Sequence, residues 1–269
     1  MAKILVIGSV AWDEVVKLDA PIRPGSHNGG RWLGRRLGGG AANTAMPLAR
    51  AGDTALLVSA VGADLEGERL GQDLARMGID TTYLDRWGEE TTRSLVMLDP
   101  AGERTIVNLV RAPVPLPADL ERIEADACYV RSADPALTPI LAARVRLGPV
   151  LAHVPPVRDG FRPAQVLVGS ASDLDADFLA DPFAAGRRIA GEVLQWMVIT
   201  DGAAGARAHG AGEVLEFPAP AVPVRDSTGA GDVFAAGLVH GLARGWPMRR
   251  VLETAVAWGS TSVDRKSVV

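Results

Sequence analysis

A chain of 269 residues, with 48% hydrophobic and 22% charged side chains, has the composition of an ordinary folded globule and the length of one large α/β domain. A formal net charge of −4 counts against a nucleic-acid partner, which calls for a basic face, and no apolar run is long enough for a membrane span. The single cysteine, Cys128, allows no internal disulfide and suits a reducing, cytoplasmic setting, while His27, His153, His209 and His240 show no metal-ligand spacing.

The chain begins with Lys3-Ile4-Leu5-Val6-Ile7-Gly8-Ser9, an apolar run that predicts a buried strand over 3–9; Asp13 and Glu14 follow too soon for a signal peptide. From 14 to 37 the pattern is extended and broken by turns. Gly38-Gly39-Gly40-Ala41-Ala42-Asn43 then leads into a predicted helix over 41–51. Glycines let a backbone approach a ligand closely, and the Asn43 amide both donates and accepts, a mixture that polyhydroxylated ligands require. A flexible loop before an alanine-packed helix is the competing reading. A strand is predicted over 54–60 and a helix over 66–77, where apolar residues at helical spacing run up to a stop at Gly78.

A second extended stretch covers 92–110, with a turn at Asp99-Pro100-Ala101-Gly102, and Pro113, Pro115 and Pro117 make a stiff connector after it. Strands over 126–131, 149–153, 164–168 and 195–200 then alternate with helices over 135–147 and 184–193. No internal repeat is visible, and the alternation argues for a mostly parallel sheet covered on both faces. Cys128 falls inside one of these apolar runs, as a small core residue.

The most informative stretch comes late: Asp226-Ser227-Thr228-Gly229-Ala230-Gly231-Asp232, opening a small-residue helix over 230–244 that is followed by another over 248–261. The N–H groups of Gly229, Ala230 and Gly231 fall where a helix has unpaired donors and the positive end of its dipole, so the turn can hold an anion, phosphate above all. A carboxylate beside an anion hole repels phosphate unless it has work to do. Asp232 would have such work as the base that takes a proton from an attacking hydroxyl, and the stretch reads as a phosphoryl-transfer site. The alternative is an ordinary N-cap cluster before a tight turn.

Both glycine motifs, in this order, resemble the signatures of the ribokinase-like (pfkB-type) carbohydrate kinases, and the likeness covers nearly the whole chain. Gly52, Gly62, the opening strand with Asp13, and Val198-Ile199-Thr200-Asp201-Gly202-Ala203-Ala204-Gly205 add to it. The resemblance implies a three-layer α/β/α sandwich with a mostly parallel central sheet, in one kinase domain over 1–269. A small β-sheet lid would be formed by insertions near 14–37 and 92–110. It implies Asp232 as the base, Gly229, Ala230 and Gly231 as the anion hole, and Asp13, Gly39 and Asn43 as ligands of substrate hydroxyls. Thr200, Gly202 and Gly205 would flank ATP, although Asp201-Gly202 is also a common turn and Asp13 also reads as a solvated charge. The acceptor would be a hydroxyl of a sugar or sugar derivative, with Mg²⁺ accompanying ATP, and the exposed lid edges would favour a homodimer.

Two departures from the family pattern stand out. Its Asn-x-x-Glu element, which organises Mg²⁺, has Ser170-Ala171-Ser172-Asp173 as counterpart, leaving Asp173 to act through water or to form part of a capping turn with Asp175 and Asp177. After Trp258 the family's glycine-containing turn is missing, so Asp226 and Thr228 alone answer to a monovalent-cation site, which counts against potassium activation. A nucleoside kinase, a sugar-phosphate kinase using lid arginines such as Arg31, Arg35, Arg36, Arg93 or Arg104, and a non-catalytic sugar- or nucleotide-binding homologue are the alternatives.

Overall fold

Lys3–Gly8 (β1) is a continuous apolar run because both faces of the strand are covered, as expected in a parallel sheet flanked by helices. Ile4 and Val6 point into one core, Leu5 and Ile7 into the other. In the computed structural model, which describes residues 1–101, 104–154, 161–222 and 228–264, β1 lies third from one edge of a nine-stranded sheet.

The next two strands, Ala11–Leu18 (β2) and Gly30–Gly38 (β3), belong to a separate, smaller sheet. Gly40–Arg50 (α1) follows, then Thr54–Val61 (β4), Leu65–Arg76 (α2) and the short Leu84–Arg86 (β5). Arg93–Leu98 (β6) and Arg104–Val110 (β7) return to the small sheet. The chain continues through Ala127–Arg131 (β8), Leu137–Arg144 (α3), Val150–His153 (β9), Val166–Ser170 (β10), Ala176–Ala180 (α4) and Pro182–Ala190 (α5). It then runs through Trp196–Thr200 (β11), Ala206–His209 (β12), Val214–Phe217 (β13), Ala230–Leu242 (α6) and Met248–Asp264 (α7).

The large sheet has the order β13-β12-β11-β10-β9-β8-β1-β4-β5. It is parallel from β5 to β11, and β12 and β13 add an antiparallel edge. Buried side chains of α1, α2, α6 and α7 fill one core, and those of α3 and α5 the other, which completes three layers. The small sheet has the order β3-β2-β6-β7, with only the β2–β6 pair parallel.

The predicted helices over 135–147 and 184–193 are shorter than expected, α3 covering Leu137–Arg144 and α5 ending at Ala190. The additional α4 is capped by Asp175, whose carboxylate accepts from the Phe178 N–H at 2.8 Å. The predicted turn at Asp99 includes an Ala101 N–H donated to the Asp99 side chain, while Gly102 lies outside the described residues.

Candidate active site

Parallel strands present their carboxyl ends to one edge of the sheet, and clefts in open α/β folds form there. The ends of β1, β8, β9, β10 and β11, the N-termini of α1 and α6, and one face of the small sheet enclose a cleft of about 1630 Å³. Asp13, Gly39, Asn43, Asp173, Thr200, Gly202, Gly205, Thr228, Gly229, Ala230, Gly231 and Asp232 all line it. Asp226 lies outside the described residues.

One end of the cleft is built around two tight turns. Gly39 precedes α1 at φ 87° and ψ 137°, where a Cβ would overlap the Ser9 carbonyl and meet Val10 Cα at 2.7 Å. Only glycine fits there, and the Ser9 carbonyl stays free to accept from the Ala41 N–H at 3.1 Å. Gly229 caps α6 in the left-handed region, at φ 75° and ψ 1°. Its carbonyl accepts from the Asp232 and Val233 amides at 2.9 and 3.0 Å, leaving the amides of the first turn to face the cleft.

Asp232 sits on the first turn of α6 and is only 5% exposed. Asn43 Nδ2 donates to its Oδ2 at 3.0 Å, and Thr44 Oγ1 donates to the carbonyls of Gly40 (2.9 Å) and Asp232 (3.3 Å), which ties α1 to α6. The other carboxylate oxygen, Oδ1, forms an ion pair with the Arg131 guanidinium but receives no aligned hydrogen bond.

Asp13 projects from β2, opposite Arg36 on β3 and Ser94 on β6. A side chain at Gly38 would collide with the Asp13 carboxylate, so that glycine makes room for it. Burial raises the Asp13 pKa to about 6, against the opposing charge of Arg36 and a hydrogen bond from Ser94.

The other end of the cleft is polar backbone over a small apolar floor. Thr200 Oγ1 donates to the Gly169 carbonyl at 3.3 Å, and the Asp201 N–H donates to the Gly205 carbonyl at 2.9 Å, which closes the turn between the antiparallel pair β11 and β12. The turn predicted from Asp201-Gly202 is therefore present, and it also lines the cleft. Val256, Gly259 and Val263 of α7 face it. Trp258 instead packs on the core, with its ring centroid 4.9 Å from that of His240. Asp173 ends a single helical turn after β10, beside Ser170 and Ser172, and Ser172 Oγ donates to its Oδ1 at 3.4 Å. Among the described residues no group of three or more His, Cys, Asp or Glu side chains converges as a metal site.

Sequence reasoning missed Arg131 and His153, which end β8 and β9 and line the cleft. Their position at the carboxyl ends of predicted core strands was the available signal. Burial, assisted by the Arg131 charge, lowers the His153 pKa to about 4 against the opposing pull of Asp173, so this imidazole is neutral near pH 7.

A buried carboxylate beside a glycine-capped helix N-terminus, under a four-stranded cover, is the layout of a phosphotransferase that acts on an alcohol. The comparisons agree. The chain belongs to the pfkB family of carbohydrate kinases, whose profile matches residues 1–135 and 154–269. It is 32% identical to a fructokinase of Klebsiella pneumoniae over 235 residues, spanning 77% of this chain and 76% of that protein. The solved ribokinase of Cryptococcus neoformans in complex with ADP superposes with a TM-score of 0.79 at 25% identity, covering 99% of this chain and 95% of that one. The ribokinase of Giardia lamblia gives a TM-score of 0.82 at 19% identity, over 99% and 94% of the two chains, a likeness of fold. The chain is thus an ATP-dependent kinase of a sugar or sugar-like alcohol. No helix among the described residues is long and apolar enough to cross a membrane.

Proposed function

We propose that Asp232 is the general base of this kinase and that the first-turn amides of α6 hold the transferring phosphoryl group. The observation that carries this reading is the position of the Asp232 carboxylate, on the first turn after Gly229 and held toward the cleft by Asn43. An acceptor hydroxyl of a sugar or sugar derivative, a primary one by preference, lies between Asp13 and Asp232, with other hydroxyls bonded to Asp13, Gly39 and Asn43. Its oxygen attacks the γ-phosphorus of ATP, its proton passes to Asp232, and the bond from phosphorus to the ADP oxygen breaks. The amides of Gly229, Ala230 and Gly231 stabilise negative charge on the phosphoryl oxygens throughout. ATP lies along Thr200, Gly202 and Gly205, with its base toward Val256.

Asp173 fits Mg²⁺, which keeps several waters and takes one or two carboxylates plus phosphate oxygens. When bound, the ion would neutralise charge on those oxygens. The setting that fits this chemistry is the cytoplasm, and Cys128 is a buried thiol whose pKa is pushed up to about 12 by burial. We also propose a homodimer through the small sheet, whose edge strands β3 and β7 expose Trp32, Ile106 and Leu109. A solution mass near 28.2 kDa, that of one chain, would contradict the dimer.

The test of the reaction is ADP release from Mg·ATP across sugars, sugar phosphates and nucleosides, with Asp232→Asn run beside the wild type. Turnover on one acceptor class, lowered about 10²–10⁴-fold in the variant, is expected. Equal turnover in the two proteins would overturn the role of Asp232.

A further inference from the structure

Arg131 is an odd neighbour for a general base. It ends β8, in register with Gly8 of β1, and its side chain passes under Gly40, where a Cβ would overlap its Cδ. The guanidinium then pairs with Asp232 Oδ1. A cation on that oxygen stabilises the carboxylate and weakens it as a proton acceptor, so the pair as it stands opposes the chemistry assigned to Asp232. The contact is not sealed: Arg131 is 37% exposed and lines the cleft, while the Asp232 side chain is 7% exposed. Arg104 and Arg111 line the same cleft from the small sheet and the segment after it.

A neutral sugar offers only hydroxyls, which compete poorly with a carboxylate for a guanidinium. A carboxylate or phosphate on the ligand competes well, because charge-assisted and bidentate contacts are the strong ones. We propose that the acceptor carries an anionic group, and that Arg131 leaves Asp232 for that group on binding. The contact that selects the acceptor thereby frees the base. This rests on Asp232 being the base, and it makes Arg131 a specificity-determining residue for that site.

The test compares pentoses and hexoses with their phosphate esters and their aldonic acids, at saturating Mg·ATP, in wild type, Arg131→Ala and Arg131→Lys. Wild type should favour one anionic series over its parent sugars, and the phosphate and carboxylate series show which anion it is. In Arg131→Ala, KM for that acceptor should rise about 10- to 100-fold, the loss typical of a hydrogen bond to a charged group. Its kcat on neutral sugars should rise, because the base is no longer paired. Arg131→Lys, which keeps the charge, should fall between. A wild type that favours neutral sugars, or an Arg131→Ala that loses kcat equally on both series, would overturn the proposal.

Calorimetric titration without ATP separates this idea from the base assignment. Binding of the sugar phosphate or aldonate that fails in Arg131→Ala supports the anion subsite even if Asp232→Asn leaves turnover unchanged. Absence of anion binding to the wild type overturns the subsite even if Asp232 is essential.

Discussion

Asn43 and Asp232, 189 residues apart in the chain, share a hydrogen bond of 3.0 Å from amide Nδ2 to carboxylate Oδ2. It joins the first turns of α1 and α6, one built on Gly39 and the other on Gly229. In the proposed site Asn43 would therefore aim the carboxylate as well as face the acceptor. Asn43→Ala should lower kcat about 10- to 100-fold, the range for losing a hydrogen bond to a charged group. Asn43→Asp should do worse, because it puts like charges together. Steady-state kinetics checks this, with thermal melts to show that both variants fold; an unchanged kcat in Asn43→Ala would remove the aiming role.

Gly39 sets the direction of the strand-to-helix turn. At φ 87° and ψ 137° a side chain is strained, and its Cβ would overlap the Ser9 carbonyl that accepts from Ala41. Gly39→Ala should cost on the order of 3 kcal/mol and displace Asn43. Urea unfolding measures the first effect and acceptor KM the second. A variant as stable as the wild type would show that the turn relaxes freely.

Asp13 supplies a pH signature. Burial raises its pKa to about 6, so in the proposed site substrate hydroxyls donating to its carboxylate would lose their acceptor as pH falls through that value. Acceptor kcat/KM should fall about tenfold per pH unit well below pH 6, and Asp13→Asn should lack that limb. The stability sign is the reverse. A carboxyl whose folded pKa is raised favours folding most below its ordinary value near 3.8, and that contribution is lost between there and about 6. Asp13→Asn should then melt higher than wild type at pH 8, with the gain fading toward pH 4.

The sequence made this site readable because its parts are local. Gly38-Gly39-Gly40 and Gly229-Ala230-Gly231 each announce a tight turn before a helix, and the helix that follows is written in small apolar residues. The parallel core strands were equally plain, since strands covered on both faces are continuously apolar. What stayed hidden depends on partners far along the chain or on very short elements. Leu84–Arg86 is three residues long, and Ala206–His209 buries only its two alanines, so neither carries a strand signal of its own. Arg131 was hidden for another reason. Its one mark in sequence is its place at the end of a predicted core strand, and its meaning comes from Gly40 and Asp232, which the fold brings to the same strand end.

The far end of α6 is secured by a buried polar cluster that the chemistry does not use. Asp53, after α1, accepts from Arg244 Nη2 at 2.6 Å and from the Ala2 N–H at 3.2 Å, and its Oδ2 lies 2.6 Å from His240 Nδ1. The His240 ring packs between Trp246 and Trp258, with centroids 5.5 and 4.9 Å away. Burial alone would raise the Asp53 pKa, but the hydrogen bonds from Arg244, His240 and Ala2 outweigh it and hold the carboxyl below its ordinary value. A depressed carboxyl contributes stability above its ordinary value near 3.8, and that contribution is lost as pH falls through the lower folded value. Asp53→Asn should cost roughly 3 kcal/mol near pH 7, because it leaves a half-buried guanidinium without its counter-charge. For a chain of this size that is a fall of about 5 °C in Tm. Melting curves for the two proteins should converge as pH drops below about 4, where the carboxylate advantage disappears. Curves that stay parallel down to pH 2 would show that Asp53 acts through packing rather than charge.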